Sequence, residues 1–113
     1  KFMSGVSVRH EPMACIMSKI PKVVTAEEAV QAIKSGDNIF VQGSAVTPTV
    51  LTKAMADHGL KNKLEGCSVY HLRTEGYCPY EPKEFKDIFR IKSLFLGSNV
   101  REATNEGRAD YIP

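Results

Sequence analysis

Three stretches of the sequence combine glycine with small polar residues, and they hold the side chains best suited to chemistry. The first is Gly43-Ser44-Ala45-Val46-Thr47-Pro48. If it joins a strand to a helix, its backbone N–H groups are unpaired and lie along the helix dipole, which suits a carboxylate or a thioester oxyanion. Gly43 and the small Ser44 and Ala45 would let a ligand approach the backbone closely. The same residues also read as a plain tight turn closed by an N-cap. Neither nucleotide fingerprint is present, since GxGxxG and Gly-Lys-Ser/Thr are both missing. The second stretch is His71-Leu72-Arg73-Thr74-Glu75-Gly76. His71 is able to donate to a carboxylate or to move a proton, or else it packs in a sheet with one hydrogen bond. No serine or cysteine nucleophile is obviously paired with it. The third stretch is Gly97-Ser98-Asn99-Val100-Arg101. Arg101 suits bidentate pairing with a carboxylate or phosphate, or is a surface residue behind an Asn cap. Glu75, Glu81 and Glu84 are candidate carboxylates with no assigned role, because most charged loop residues are simply solvated. His10 and His58 read as exposed, and Cys67 as a small buried hydrophobe.

These stretches need elements to position them. Thr25-Ala26-Glu27-Glu28 has the form of a capping box and predicts a helix, with Ala29, Val30 and Ile33 as its apolar stripe and Gly36 as a left-handed stop. Ile39-Phe40-Val41 predicts a buried strand. Thr47 as N-cap and Pro48 as first helical residue predict a helix over 49–58, with Val50, Leu51, Ala54 and Met55 on one side and Gly59 ending it. A second strand is expected over 68–72. Pro79 and Pro82 break the following stretch, which leaves a helical turn or two within 84–89. Ser93-Leu94-Phe95-Leu96 reads as the third strand, 100–106 as a short helix closed by Gly107, and Ala109-Asp110-Tyr111-Ile112 as the start of a fourth strand. Strands alternating with helices imply a largely parallel sheet with helices on its faces. Such a sheet binds ligands beyond the carboxyl ends of its strands, where all three stretches fall.

Composition narrows the classes. The 113 residues are 42% hydrophobic and 25% charged, as expected of a folded globular chain rather than a disordered one. A net charge of +2, with basic and acidic residues interspersed, gives no footprint for nucleic acid or an anionic membrane. No apolar run approaches the roughly 20 residues that span a bilayer. Cys15, Cys67 and Cys78 form no CxxC pair, which argues against a disulfide framework or a zinc site. They suit a reducing compartment: the cytoplasm or, in a eukaryote, the mitochondrion, and not a secreted protein. Residues 1–20 are basic and hold Met3, Met13 and Met17, so they read as an N-terminal arm or as the tail of a targeting sequence. Residues 21–113 read as the first part of a larger domain. An open sheet of three or four strands has little core, and the chain stops just as its fourth strand begins.

Taken in order, Lys22-Val23-Val24-Thr25-Ala26-Glu27-Glu28-Ala29-Val30, Ile33-Lys34-Ser35-Gly36-Asp37 and the Gly43 stretch resemble the start of acetyl-CoA hydrolase/transferase N-terminal domains. The His71 stretch, Phe95-Leu96-Gly97-Ser98-Asn99-Val100-Arg101 and Gly107-Arg108-Ala109-Asp110-Tyr111-Ile112-Pro113 extend that resemblance to the last residue. Bacterial and eukaryotic 4-hydroxybutyrate, acetate and succinate CoA-transferases share these features. The resemblance implies a truncated α/β fold of the CoA-transferase (NagB/RpiA-like) type, with a partial open, mostly parallel sheet and flanking helices. It implies a ping-pong transfer of CoA between small carboxylic acids through a glutamyl-CoA thioester, with no cofactor beyond CoA as substrate. The glutamate of such enzymes lies in their C-terminal half, and no residue here matches its motif, so no catalytic residue is expected within 1–113. Gly43, Ser44, Ala45, His71, Thr74, Gly97, Ser98 and Asn99 would line the acyl side of the pocket. The partners implied are acyl-CoA, small carboxylates, the remainder of the same protein and further copies of it. The alternatives are an acetyl-CoA hydrolase of the same family and a non-catalytic CoA-binding domain. A sugar-phosphate isomerase of related architecture would want a basic phosphate-gripping loop, and residues 43–48 contain no Lys or Arg.

Overall fold

The computed structural model describes residues 20–113, and the reading of the N-terminal arm, with His10 and Cys15, lies outside them. Helix α1 (Ala26–Val30) opens the described chain, and the Thr25 hydroxyl accepts from the Glu28 N–H as a capping box requires. Gly36 takes φ +81 and turns the chain into strand β1 (Asn38–Val41). Helix α2 (Thr49–Lys61), strand β2 (Cys67–His71), a 3₁₀ turn (Lys83–Phe85), strand β3 (Phe89–Ser93), helix α3 (Ser98–Asn105) and strand β4 (Ala109–Tyr111) follow. The strands form one parallel sheet in the order β1-β2-β3-β4, with Ile39 beside Val69, Val69 beside Ile91 and Ile91 beside Ala109. The expected α/β class with a parallel sheet is what the chain adopts. No helix among the described residues is long and apolar enough to cross a membrane.

Right-handed crossovers between strands in sequential order all pass over the same side of a sheet. One face is therefore covered: Ile39, Val41, Cys67, Val69, His71, Phe89, Ile91, Ser93 and Ala109 are all buried. Met55, Ala56, Val100, Ala103 and Phe85 belong to the same buried set. The Phe85 and Tyr80 rings pack against Phe89 at centroid distances of 6.1 and 6.2 Å, the first tilted and the second edge-on. On the other face Ser68, Tyr70, Arg90, Lys92 and Asp110 are half-buried and Phe40 is 41% exposed. Among the described residues, the flanking helices expected from the alternation lie over the first of these faces. β1, expected as a buried strand, pairs with β2 along one edge and alternates, with Ile39 and Val41 buried and Asn38 and Phe40 exposed.

Five local expectations differ from the structure. The third strand is 89–93, not 93–96: Phe89, Ile91 and Ser93 alternate inward with Arg90 and Lys92, while Leu94 and Phe95 are 44% and 53% exposed. Helix α2 runs past Gly59 to Lys61, and Gly59 is buried against the Phe89 ring. Pro48, not Thr47, occupies the N-cap of α2, and the side expected to hold Val50 is turned so that Val50 is 70% exposed while Met55 is fully buried. His58 is not a free surface group: its Nε2 lies 3.0 Å from the Ile33 carbonyl and its Nδ1 2.9 Å from the Asn62 amide, so it ties α2 to the chain leaving α1.

Candidate functional site

All three singled-out stretches lie at the carboxyl ends of adjacent parallel strands, and hydrogen bonds join them into one rim. After β1 the chain makes a further parallel bridge, Ser44 with Thr74, in which the Ser44 N–H donates to the Arg73 carbonyl at 2.7 Å. Thr47, expected to cap α2, closes the loop instead. Its hydroxyl donates to the Ser44 carbonyl at 2.6 Å and accepts from the Glu75 N–H at 3.2 Å. Asn99, in the first turn of α3, reaches across to the second loop from its amide nitrogen. It contacts the Thr74 carbonyl at 3.1 Å and the Thr74 hydroxyl and Gly76 carbonyl at 3.0 Å each.

The two glycines of the rim make room for protein rather than open space. A Cβ on Gly43 would stand 2.3 Å from the Arg73 carbonyl oxygen, so the missing side chain is what lets the first two loops meet. A Cβ on Gly97 would stand 2.8 Å from Asn99 Oδ1, so Gly97 leaves the space in which the Asn99 amide folds back. Ser44 adopts φ +56, a left-handed conformation that costs a non-glycine residue about 1 kcal/mol and marks the turn as held by its surroundings. Ser44, Ala45 and Ser98 are exposed on the rim, and Gly97 and Thr74 are buried beneath it. Of the loop N–H groups, those of Ser44, Thr47 and Thr49 already donate to protein carbonyls. The Ala45 and Val46 N–H groups at the turn tip have no such partner among the described residues.

His71 is the last residue of β2 and is fully buried on the covered face, beside Val41 and Ser93, which are also fully buried. Its Nδ1 lies 3.0 Å from the Tyr80 hydroxyl. Burial away from water lowers its pKa to about 4, so it is neutral at physiological pH. Burial likewise holds the Tyr80 hydroxyl well above its ordinary range and pushes the Cys78 thiol up to about 12, so neither is ionised and Cys78 is no thiolate nucleophile. Tyr80 had no signal in the sequence as a partner of His71, because the loop that returns it to the sheet is irregular. Cys67 is buried at the first position of β2, as its type predicted.

The charged candidates separate from one another. Glu81 pairs with Arg108 at 3.0 Å, with both side chains mostly buried, at the entry to β4. Glu75 lies 3.6 Å from Arg73, and the Arg73 guanidinium sits 5.8 Å from the centre of the Phe95 ring. Arg101 is exposed. Arg73 is itself a residue of the joined loops, through its carbonyl bond to Ser44, and so supplies them with a cation. No group of three His, Cys, Asp or Glu residues among those described is placed to hold a metal. Chemically the rim offers small polar groups, two unpartnered backbone donors and one arginine, an arrangement for binding and orienting an anion or a carbonyl.

Residues 17–113 match the profile of the acetyl-CoA hydrolase/transferase N-terminal domain. The succinyl-CoA:acetate/propanoyl-CoA:succinate CoA transferase of Fasciola hepatica is 36% identical over 105 residues, covering 92% of this chain and 22% of that protein. The 4-hydroxybutyrate coenzyme A transferase of Clostridium kluyveri is 33% identical over 92 residues, 81% of this chain and 21% of that one. RipA from Yersinia pestis shares the fold in its crystal structure, with a TM-score of 0.61 at 24% identity over 80% of this chain and 23% of RipA. The chain thus spans 21–22% of the length of these two curated relatives.

Proposed function

Because the chain belongs to the acetyl-CoA hydrolase/transferase family, matching its N-terminal domain, we propose that it forms one wall of a site that passes CoA between small carboxylic acids. The observation that carries this reading is the joined rim. Ser44 N–H to Arg73 O, Glu75 N–H to Thr47 Oγ1 and Asn99 to Thr74 hold three loops together at the carboxyl ends of β1, β2 and β3. That is where a parallel sheet presents its ligands.

In this reading the nucleophile is a glutamate outside residues 1–113. Its carboxylate attacks the thioester carbonyl and expels CoA thiolate, leaving a mixed anhydride. The thiolate then attacks the glutamyl carbonyl and releases the first acid as a carboxylate. An incoming carboxylate reverses the two steps and leaves with the CoA. Charges and atoms balance without a redox partner, metal or organic cofactor. The rim supplies the acyl-facing contacts. The Ala45 and Val46 N–H groups and the α2 amino terminus favour a carbonyl oxygen that gains negative charge. Arg73 draws the free carboxylate. Gly43, Ser44, Ala45, His71, Thr74, Gly97, Ser98 and Asn99 are the lining or its direct support. Short acids such as the acetate and succinate named for the Fasciola relative and the 4-hydroxybutyrate named for the Clostridium relative are the substrates, and the protein works as a homo-oligomer. Cys67 and Cys78 are buried and in no disulfide, which accords with a reducing compartment; in a eukaryotic cell we place the protein in the mitochondrion.

The test is CoA exchange between acetyl-CoA and succinate, run on the 113-residue chain and on the full-length protein that contains it. Exchange by the full-length protein alone is expected. Exchange by the short chain would move the nucleophile into it, and hydrolysis without exchange would replace the acceptor acid with water.

A further inference from the structure

The buried side-chain polar atom without a hydrogen-bond partner among the described residues is Nε2 of His71. An unmet buried polar atom is costly, so its position calls for a reason. Nδ1 faces the Tyr80 hydroxyl at 3.0 Å. A phenol is a strong donor and a weak acceptor, and an unprotonated imidazole nitrogen is the strongest neutral acceptor among side chains. Donation from the Tyr80 O–H to Nδ1 places the single ring proton of the neutral imidazole on Nε2.

That hydrogen bond closes a loop with a purpose. It spans nine residues, from the end of β2 to Tyr80, and the excursion between them carries Arg73, Thr74, Glu75 and Gly76. One side of the excursion is tied to Ser44 and Thr47, and the other to Asn99. The His71–Tyr80 contact is the only one of these ties that lies wholly within the buried layer, since both residues are no more than 1% exposed.

We propose that His71 is a positioning residue of the transfer site: as the Nε2–H tautomer bonded to Tyr80, it fixes the base of the Arg73–Gly76 loop against the Ser44 and Asn99 loops. The inference rests on the CoA-transfer reading. His71 touches no reacting atom. Its contribution is to hold the loop at the spacing that the transition state needs, so its loss lowers kcat more than it raises KM.

The experiment uses the full-length protein with ¹⁵N-labelled histidine. The His71 signal is identified by its disappearance in His71→Asn. Wild-type protein is expected to show protonated Nε2 and an unprotonated Nδ1 whose resonance is shifted by an accepted hydrogen bond, and Tyr80→Phe to lose that shift. In acetyl-CoA to succinate exchange, Tyr80→Phe and His71→Leu are expected to lose about tenfold or more in kcat with KM for acetyl-CoA nearly unchanged. His71→Asn, whose side-chain oxygen can accept from Tyr80 in place of Nδ1, is expected to keep most of the rate. A proton on Nδ1 in the wild type overturns the tautomer and the inference. Equal kcat losses in His71→Asn and His71→Leu overturn the staple. A wild type that shows the expected tautomer but exchanges no CoA overturns the functional reading instead, and the positioning role with it.

Discussion

Asn99 presents one amide nitrogen to three acceptors, and an amide nitrogen has only two protons. Two of the acceptors are backbone carbonyls, which cannot donate, so the amide orientation is set and one proton is shared. Asn99→Ala leaves the Thr74 and Gly76 carbonyls without this donor and is expected to lower stability by about 1–3 kcal/mol in urea unfolding. Asn99→Asp should cost more, because a carboxylate would face those same carbonyls. His71 sets a second expectation. Its pKa is about 4 in the folded chain against an ordinary 6.5, so between these values the unfolded chain binds the extra proton. Stability is then full above pH 6.5 and falls as pH drops towards 4, by about 3 kcal/mol in all from this group. Unfolding free energies measured across that window should lose much of this slope in His71→Asn. The sequence marked both residues by type and place, but their partners were invisible in it. Tyr80 and the Thr74 carbonyl reach them only through the folded loop.

Elements were legible where one local rule decided them. The Thr25 cap, the left-handed Gly36 and Gly107 and the fourth strand each follow from a short signal, and each is present. The third strand was misplaced because two signals competed. Leu94-Phe95-Leu96 is the more apolar run, but Phe89-Arg90-Ile91-Lys92-Ser93 has the period of two that a sheet with one covered face selects. Gly59 failed for a similar reason. A glycine near the end of an apolar helical pattern reads as a stop, yet this one is a contact surface for Phe89. Gly59→Ala tests that account. Helix propensity alone favours alanine by about 1 kcal/mol. The added Cβ would stand 2.8 Å from two Phe89 ring carbons, and Phe89 is itself only 2% exposed among Tyr80 and Phe85. Overpacking should win, for a net loss of about 1–2 kcal/mol seen as a lower Tm. A gain in Tm would mean that the Phe89 ring has room to shift.

Two arginines show how the molecule as a whole connects its ends. Arg90 lies on the open face of the sheet, forked onto Asp110 and the Gly107 carbonyl, with its side chain 43% exposed. Arg108 lies at the entry to β4 with its side chain 14% exposed, bonded to the Glu81 carboxylate and carbonyl and to Glu106. The residue type is the same and both flank β4, but only Arg108 grips the segment that carries Tyr80, one residue before Glu81. An exposed pair contributes little, because water competes for both partners and salt screens them, so Arg90→Ala should cost below about 1 kcal/mol. Arg108→Ala removes charge-assisted bonds from partly buried groups and should cost about 1–3 kcal/mol. The sharper difference is in catalysis. If Tyr80 holds His71, and His71 holds the Arg73–Gly76 loop, then loosening Glu81 propagates to the rim. Arg108→Ala in the full-length protein should lower the CoA-exchange rate per folded molecule, while Arg90→Ala leaves it at the wild-type value. Both rates are to be read well below each variant's Tm, so that unfolding does not enter. Equal rates in the two variants would show that Phe85 and the other buried aromatic contacts hold the Tyr80 segment without Arg108.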